Sequence, residues 1–266
     1  FDIPNDISEG IIKGINHIDF SSLSAHIMGE VYENYLGELL KSGKKQINVG
    51  SEAKTSLKRK SQGIYYTPSY IVDYIVKNTV GEYIREKSID EILRVNIIDP
   101  ACGSGSFLTR AFKEVCDRIE LLLKEKKFGK IPFNSYSGKL TLQQEITILT
   151  NCIYGVDLDE KAVEMTRLNL LLNLLEGEGP ETKKLLLPHL EQNIKNGNSL
   201  IDDPKVSDKA FNWHAQFKEV FADGGFDVVD YIEQETGPGL AEGFRAGVQL
   251  RQGALRQGDV DPLRPS

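Results

Sequence analysis

The feature that most constrains the fold is a β-branched run that ends in a glycine-rich turn and is followed by a helical pattern. Residues 94–99 read Arg-Val-Asn-Ile-Ile-Asp, and the turn continues as Pro100-Ala101-Cys102-Gly103-Ser104-Gly105. The two glycines permit positive φ angles and let the backbone approach a ligand closely. The helix expected from Ser106 adds free N–H groups at its first turn. The pattern predicts a strand–turn–helix unit with a ligand site at the turn.

Further strands and helices alternate between residues 67 and 229. Thr67 is expected to cap a helix that has Pro68 in its first turn. The remaining pattern predicts helices at 106–124, 142–150 and 160–175, and strands at 94–99, 152–158, 194–200 and 226–229. Such alternation favours a parallel sheet with ligands at the carboxyl ends of its strands. We therefore expect an α/β fold with a doubly wound, mostly parallel sheet, preceded by a small helical segment.

Charge and cysteine content limit the classes of partner. The net charge is −7, which weakens a nucleic-acid interpretation without excluding it, because a local lysine stripe can bind phosphates. The three cysteines show neither metal-ligand spacing nor a disulfide pattern, so we expect no metal and a cytoplasmic, reduced protein. We expect no membrane association, since neither a spanning apolar run nor a signal peptide is visible.

Composition divides the chain into three predicted regions. Residues 1–60 are expected to form an N-terminal helical segment and a loop, and residues 61–230 the ligand-binding domain. Residues 231–266 contain no lysine, but four arginines among six glycines. We interpret this tail as foreign, frameshifted or disordered, with a natural flexible terminus as the competing explanation. Because the first residue is Phe1, we also expect the chain to be a piece of a longer protein.

Polar residues lie at the carboxyl ends of two more predicted strands. Asp157 can accept hydrogen bonds from two ribose hydroxyls, and the next residue, Leu158, can pack on a purine. Asn198, after the third strand, has an amide able to read an adenine amino group. Alone, each feature has a simpler explanation: a tight turn at Gly103, an ordinary strand end before the helix cap Asp159, and an Asn-rich turn. In order at three successive strand ends, they favour one adenosine-containing ligand.

Two other nucleotide motifs do not fit the glycine spacing. No Gly-Lys-Ser/Thr follows the turn, which excludes a phosphate loop, and position 108 is Leu where the dinucleotide fingerprint requires glycine. We therefore give a dinucleotide oxidoreductase little weight.

The run from Asp99 to Leu108 resembles the S-adenosylmethionine (SAM) motif of bacterial restriction–modification N6-adenine DNA methyltransferases. Gly63-Ile64-Tyr65-Tyr66-Thr67-Pro68 is similar to the segment that closes over the methionine part of SAM in these enzymes. Tyr154-Gly155-Val156-Asp157-Leu158-Asp159 resembles their ribose-binding motif, and Asn196-Gly197-Asn198-Ser199-Leu200 their adenine-binding motif. The motif order is that of type I modification subunits and fused type IIG enzymes. Residues 20–40 look closer to the fused enzymes.

The resemblance implies a Rossmann-like, SAM-dependent methyltransferase fold with SAM as its cofactor. Asp99 would reach the SAM amino group, Asp157 the ribose hydroxyls, and Asn198 the adenine edge. Leu158 would pack on the adenine ring. The residues implied for cofactor binding are Tyr65, Thr67, Asp99, Pro100, Ala101, Gly103, Gly105, Asp157, Leu158, Asn198 and Ser199.

The sequence departs from the family at the end of the fourth strand. There the family has the catalytic tetrapeptide Asn-Pro-Pro-Tyr, whereas Val229 is followed by Asp230-Tyr231-Ile232-Glu233, and the tetrapeptide occurs nowhere. The resemblance therefore assigns no catalytic residue to this chain, which we expect to bind SAM without methylating DNA. The parent protein would bind DNA through other regions and act with a specificity or nuclease domain or subunit.

Two other functions remain open at this point. The same pocket can serve a methyltransferase acting on cytosine N4, RNA, a protein or a small molecule, because fold does not fix substrate. A degenerate methyltransferase fold can also serve as a scaffold or nucleic-acid adaptor. The intact pocket motifs argue against such decay, and SAM binding would separate the two.

We predict that this chain binds DNA weakly or not at all. Its net charge is −7, and the target-recognition region of the family does not follow Val229 in this sequence. A gel-shift titration with mixed-sequence duplex DNA checks this. Tight, sequence-specific retardation would contradict it.

Overall fold

The structure, a computed structural model, describes residues 67–130, 133, 137–176, 187–235 and 243–248, with only the backbone considered from residue 230 onward. Tyr65 and the predicted N-terminal region 1–60 lie outside the described residues, as does most of the tail 231–266. The division into three regions therefore stays a prediction. No helix in the described ranges combines the length and the apolar character needed to cross a membrane.

The elements follow one another in α/β order. In chain order they are α1 (Ser69–Val76), a π-helical segment (Lys77–Gly81), α2 (Glu82–Ile84), α3 (Ile89–Ile92), β1 (Ile97–Asp99), α4 (Ser106–Lys124), α5 (Leu142–Cys152), β2 (Ile153–Asp157), α6 (Glu160–Leu175), β3 (Ile194–Asn196), α7 (Trp213–Gln216), α8 (Lys218–Ala222), β4 (Val228–Glu235) and β5 (Gly243–Val248).

The strands form one sheet in the order β3-β2-β1-β4-β5. β1 lies parallel to both β2 and β4, with Ile98 opposite Tyr154 on one side and Val229 on the other. β2 and β3 are also parallel, whereas β4 and β5 are antiparallel. The mostly parallel α/β sheet predicted from the sequence is thus confirmed. The strand order reverses direction at β1, and in such sheets ligands bind at this switch point.

Alternation along the strands separates two hydrophobic clusters. Ile97 and Ile153 point to one face of the sheet, where they join the buried side chains of α1, α4, α5 and α6. Ile98 and Val156 point to the other face. That second face is covered by a cluster of aromatic side chains from the segment around α7 and α8. The cluster contains Phe211, Trp213, Phe217, Phe221 and Phe226.

Several predicted boundaries were wrong by a few residues. Pro68, not Thr67, is the N-cap of α1, and its carbonyl accepts from the Val72 N–H at 3.2 Å. β1 begins only at Ile97 because the N–H groups of Arg94 and Val95 close turns after α3. β3 ends at Asn196, where a tight turn replaces the predicted strand to residue 200.

Helix α3 was missed although the sequence signals it. Ser88 and Glu91 form a capping box, in which the Glu91 carboxylate accepts from the Ser88 backbone N–H at 2.8 Å. The Ser-x-x-Glu spacing is the known signature of this arrangement. The helix is four residues long, so it offers almost no periodicity to detect.

The fourth strand also differs from its prediction at both ends. It begins at Val228, not Phe226, and continues through Glu235 without a turn after Val229. Residues 230–235 pair with residues 243–248 of β5. The first part of the predicted tail therefore extends the sheet at its edge, while its origin stays a prediction.

A buried carboxylate joins three elements at the amino ends of the strands. Asp227 is 4% exposed, and its side chain accepts from the Tyr83 hydroxyl at 3.0 Å and from the Asn96 N–H at 2.9 Å. In return, the Asp227 N–H donates to the Asn96 carbonyl at 2.8 Å. These bonds fasten α2, the start of β1 and the start of β4 to one another.

We predict that Tyr83→Phe lowers the free energy of unfolding by about 1–3 kcal/mol, because a buried carboxylate loses a donor while the ring is kept. Urea denaturation followed by circular dichroism measures the change. Tyr70→Phe is the matched control, since Tyr70 is 71% exposed, and it should change stability by no more than about 0.5 kcal/mol. Equal effects of the two variants would contradict a role for the Asp227 network.

Candidate cofactor site

The turn after β1 is held by its own backbone and by β2. The Cys102 N–H donates to the Val156 carbonyl at 3.0 Å, which places the turn against the end of β2. The Gly105 N–H donates to the Cys102 carbonyl at 2.8 Å, and the Ala101 N–H donates to the Asp99 carboxylate at 3.0 Å. Asp99 is 4% exposed. The predicted strand–turn–helix unit is therefore present.

The two glycines of the turn serve different purposes. Gly103 has a φ of +52°, and a Cβ placed on it would meet no atom within 4 Å. Gly105 has a φ of +86°, but its Cβ would lie 2.9 Å from Cγ2 of Thr166. Open space beside Gly103 leaves room for a ligand, whereas Gly105 is required by the close packing of α6.

Asp157 connects the end of β2 to the turn. Its carboxylate accepts from the Gly103 N–H at 2.8 Å and from the Asp159 N–H at 2.8 Å. Burial raises the pKa of Asp157, and the N–H groups of Asp159 and Gly103 oppose that rise. Each carboxylate oxygen has a further lone pair beyond the one used by its backbone donor. Two residues that the sequence separates by 54 positions are thus in direct contact.

Leu158 is held in an exposed position by polar groups. Its side chain is 53% exposed, and its carbonyl accepts from Asn196 Nδ2 at 3.0 Å and from Lys209 Nζ at 2.9 Å. Asn196 Nδ2 also donates to the Asp157 carbonyl at 2.9 Å. These bonds fix the backbone on both sides of Leu158 while its apolar side chain faces solvent next to Asp157. An apolar ligand surface can pack there.

Asn198 and Ser199 lie in the turn after β3. Asn198 Oδ1 accepts from the Leu200 N–H at 3.1 Å, and its backbone N–H donates to the Lys209 carbonyl at 2.7 Å. The Ser199 carbonyl accepts from Trp213 Nε1 at 3.0 Å. The Asn198 amide is therefore oriented by its own turn, while Ser199 anchors the aromatic cluster on the second face.

The other predicted site residues are less tightly connected. Thr67 and Pro100 are partly buried and Ala101 is exposed, with the Ala101 N–H bound to Asp99 as described. Tyr65 lies outside the described residues. The geometry thus joins the residues predicted for the turn and the ribose directly, and shows no direct bond from Thr67 to them.

Cys102 lies buried in the turn. Burial, and next the nearby carboxylates of Asp99 and Asp157, raise the pKa of its thiol well above the usual range. A Cβ on Gly155 would come within 3.1 Å of its sulfur, so the space around it is filled. In the described residues, no three His, Cys, Asp or Glu side chains are grouped so as to hold a metal ion.

Two polar residues of α6 that the sequence reasoning missed support the turn. The Thr166 hydroxyl donates to the Gly103 carbonyl at 2.7 Å and lies 3.8 Å from Cys102 Sγ. Asn169 Nδ2 donates to the Ser104 carbonyl at 2.8 Å. Both occupy buried positions of the helix together with Val163. The sequence of α6 shows no clear apolar stripe, so no local pattern distinguished these two residues from its other polar ones.

Two family models match the part of the chain that contains this site. Residues 94–179 match the family described as RMKL-like, methyltransferase domain. Residues 151–229 match the Eco57I restriction-modification methylase family. Residues 94–229 are therefore a methyltransferase domain portion, and residues 151–229 match its restriction–modification class.

Individual relatives are considerably longer than this chain. The type II restriction enzyme and methyltransferase RM.Eco57I of Escherichia coli is 36% identical over 218 residues, which are 80% of this chain and 20% of that protein. The adenine-specific methyltransferase PglX of Streptomyces coelicolor is 28% identical over 124 residues, which are 47% of this chain and 9% of the relative. The structure of the type IIL restriction-modification enzyme MmeI in complex with DNA aligns with a TM-score of 0.41 at 16% identity, covering 77% of this chain and 29% of MmeI.

We predict that Asp157→Asn becomes progressively more favourable to stability as the pH rises from about 4 to 7. Because burial raises the native pKa of Asp157, its stabilising contribution is complete below the unfolded pKa and is lost as the pH rises through the native value. Urea denaturation of both proteins across this range measures the difference. Asp208→Asn controls for the loss of an exposed charge. A constant difference between the Asp157 variant and the unsubstituted chain would contradict the prediction.

Proposed function

We propose that this chain is the SAM-binding portion of a site-specific DNA adenine-N6 methyltransferase of a restriction–modification system. The observation that carries the proposal is the 2.8 Å hydrogen bond between the Gly103 N–H and the Asp157 carboxylate. It unites the glycine turn and the acidic residue at the carboxyl ends of β1 and β2, where ligands of such sheets bind.

The residues present fit the chemical groups of SAM. Open space beside Gly103 admits a ligand, and the Asp157 carboxylate retains acceptor capacity for ribose hydroxyls. Leu158 offers an exposed apolar surface for the purine, with the Asn198 amide for its polar edge. Asp99, Pro100, Ala101, Gly105, Thr67 and Tyr65 are assigned to the methionine end, and Ser199 to the adenine end. When bound, SAM supplies an electrophilic methyl group.

DNA adenine is the proposed target of the intact protein. The motifs from Asp99 to Leu200 resemble those of N6-adenine enzymes, and a relative of this domain is named as an adenine-specific methyltransferase. The chain spans about a fifth or less of these relatives, so DNA contacts and a nuclease or specificity region are assigned to the rest of the protein. A cytosine N4 target is the alternative. Because its substrate is DNA, we place the protein in the cytoplasm.

We predict that the chain binds SAM and its demethylated product in isothermal titration calorimetry. Asp157→Ala should weaken SAM binding by about tenfold or more, because the ribose hydroxyls lose a charged acceptor. Asp203→Ala is the matched control and should leave affinity within about twofold, since Asp203 is exposed and its carboxylate accepts only from the nearby Lys205 N–H among the bonds described. Absence of heat with either ligand would overturn the proposal and favour a scaffold.

Incubation with radiolabelled SAM and mixed-sequence duplex DNA tests whether this chain transfers methyl groups to DNA. We expect no transfer of label by this chain, because it lacks the Asn-Pro-Pro-Tyr tetrapeptide. Label in DNA would contradict this expectation. In the intact protein, N6-methyladenine in the digested product supports the adenine target, and N4-methylcytosine supports the alternative.

A further inference from the structure

Helix α6 contacts three consecutive residues of the turn after β1: Gly103, Ser104 and Gly105. The Thr166 hydroxyl donates to the Gly103 carbonyl at 2.7 Å, and Asn169 Nδ2 donates to the Ser104 carbonyl at 2.8 Å. The Thr166 side chain also fills the space against which Gly105 packs. Residues three apart on a helix share a face, so a single helical turn supplies both donors.

These two side chains are polar where the surroundings favour apolar residues. Thr166 is fully buried and Asn169 is 3% exposed, among the buried residues of α6 that include Val163 and Leu170. Among the described residues, Asn169 Oδ1 has no hydrogen-bond partner, so this amide carries a desolvation cost that a leucine would not. Packing alone does not account for the asparagine, whereas its bond to the turn does.

The bonds determine the direction of two peptide planes. Since a trans peptide directs its N–H opposite to its carbonyl, Thr166 orients the Ser104 N–H away from α6. Asn169 does the same for the Gly105 N–H, which donates to the Cys102 carbonyl. Glycine at 103 imposes little barrier to rotation of the peptide that follows it. Rotation of the Gly103–Ser104 peptide would point its carbonyl away from Thr166 and break this bond.

We propose that Thr166 and Asn169 are positioning residues that keep the Gly103–Gly105 turn in its ligand-binding conformation and thereby set the affinity for SAM. The proposal rests on the SAM-binding function proposed above. It concerns residues that contact the turn and do not themselves contact the cofactor.

Thr166→Val and Thr166→Ser distinguish the effect of the hydroxyl donor from the effect of side-chain packing. Valine keeps the branched shape but loses the donor, so SAM affinity should fall by about fivefold to tenfold. Serine keeps the donor, so affinity should stay within about twofold even if the melting temperature falls. Thr150→Val is the matched control, because the Thr150 hydroxyl donates to the Ile146 carbonyl within α5, in a helix apart from the turn.

A pair of buried asparagines provides a second comparison. Asn193 is 5% exposed and donates through Nδ2 to the carbonyls of Thr150 and Ile153, at the start of β2. Asn169→Leu should weaken SAM binding with little loss of thermal stability. Asn193→Leu should lower the melting temperature but leave the affinity of the folded protein unchanged. The reverse pattern would overturn the positioning role of Asn169.

Amide hydrogen exchange of the ligand-free chain tests the turn independently of SAM. Thr166→Val should accelerate exchange of the Gly105 N–H, which donates to the Cys102 carbonyl, by about fivefold or more, whereas Thr166→Ser and Thr150→Val should not. Unchanged exchange in Thr166→Val overturns the inference whether or not SAM binds. Accelerated exchange with unchanged affinity overturns the link to affinity. If the unsubstituted chain binds no SAM, the proposed function fails, while the exchange data still decide the conformational role of Thr166.

Discussion

One hydrogen bond, from the Gly103 N–H to the Asp157 carboxylate, connects the parts of the site that the chain keeps far apart. The bond exists because β1 and β2 are parallel neighbours whose carboxyl ends meet at one edge of the sheet. It also gives a buried carboxylate a donor, which offsets part of the cost of its burial. Without the parallel register between Asp99 and Gly155, the turn and the acidic residue would not meet.

The support of the turn comes from the interior of the domain. Gly105 has no side chain because Thr166 occupies that space, and the Thr166 hydroxyl binds the carbonyl two residues earlier in the turn. Thr166 therefore links the packing of α6 to the conformation of the turn. By contrast, a Cβ on Gly103 would meet no atom within 4 Å. A rigid inner side and an open outer side are what a preorganised binding turn requires.

Much of this organisation was predictable because it depends on strong local signals. The helices at 106–124 and 160–175 and the glycine turn between strand and helix carry clear periodicity and turn chemistry, and the structure reproduces them. The start of β1 and the end of β3 were misplaced because turns displace them: the N–H groups of Arg94 and Val95 bond back to α3, and a tight turn follows Asn196. The start of β1 is also anchored by a distant residue, since the Asn96 N–H donates to Asp227, 131 residues later in the chain. No pattern within a short window contains that information.

The same limit explains why Thr166 and Asn169 escaped notice. In the sequence they are two polar residues in a helix. Their role becomes visible only in the structure, where they donate to the carbonyls of Gly103 and Ser104. The Asp227 network at the opposite end of the sheet has a comparable role for β4, because it fixes the start of that strand against β1. Val229 lies directly opposite Ile98, the residue before Asp99, so the register set by Asp227 determines which residue of β4 lies nearest the turn after β1. The anchoring of β4 at its amino end therefore fixes the position of its following residues relative to the turn after β1.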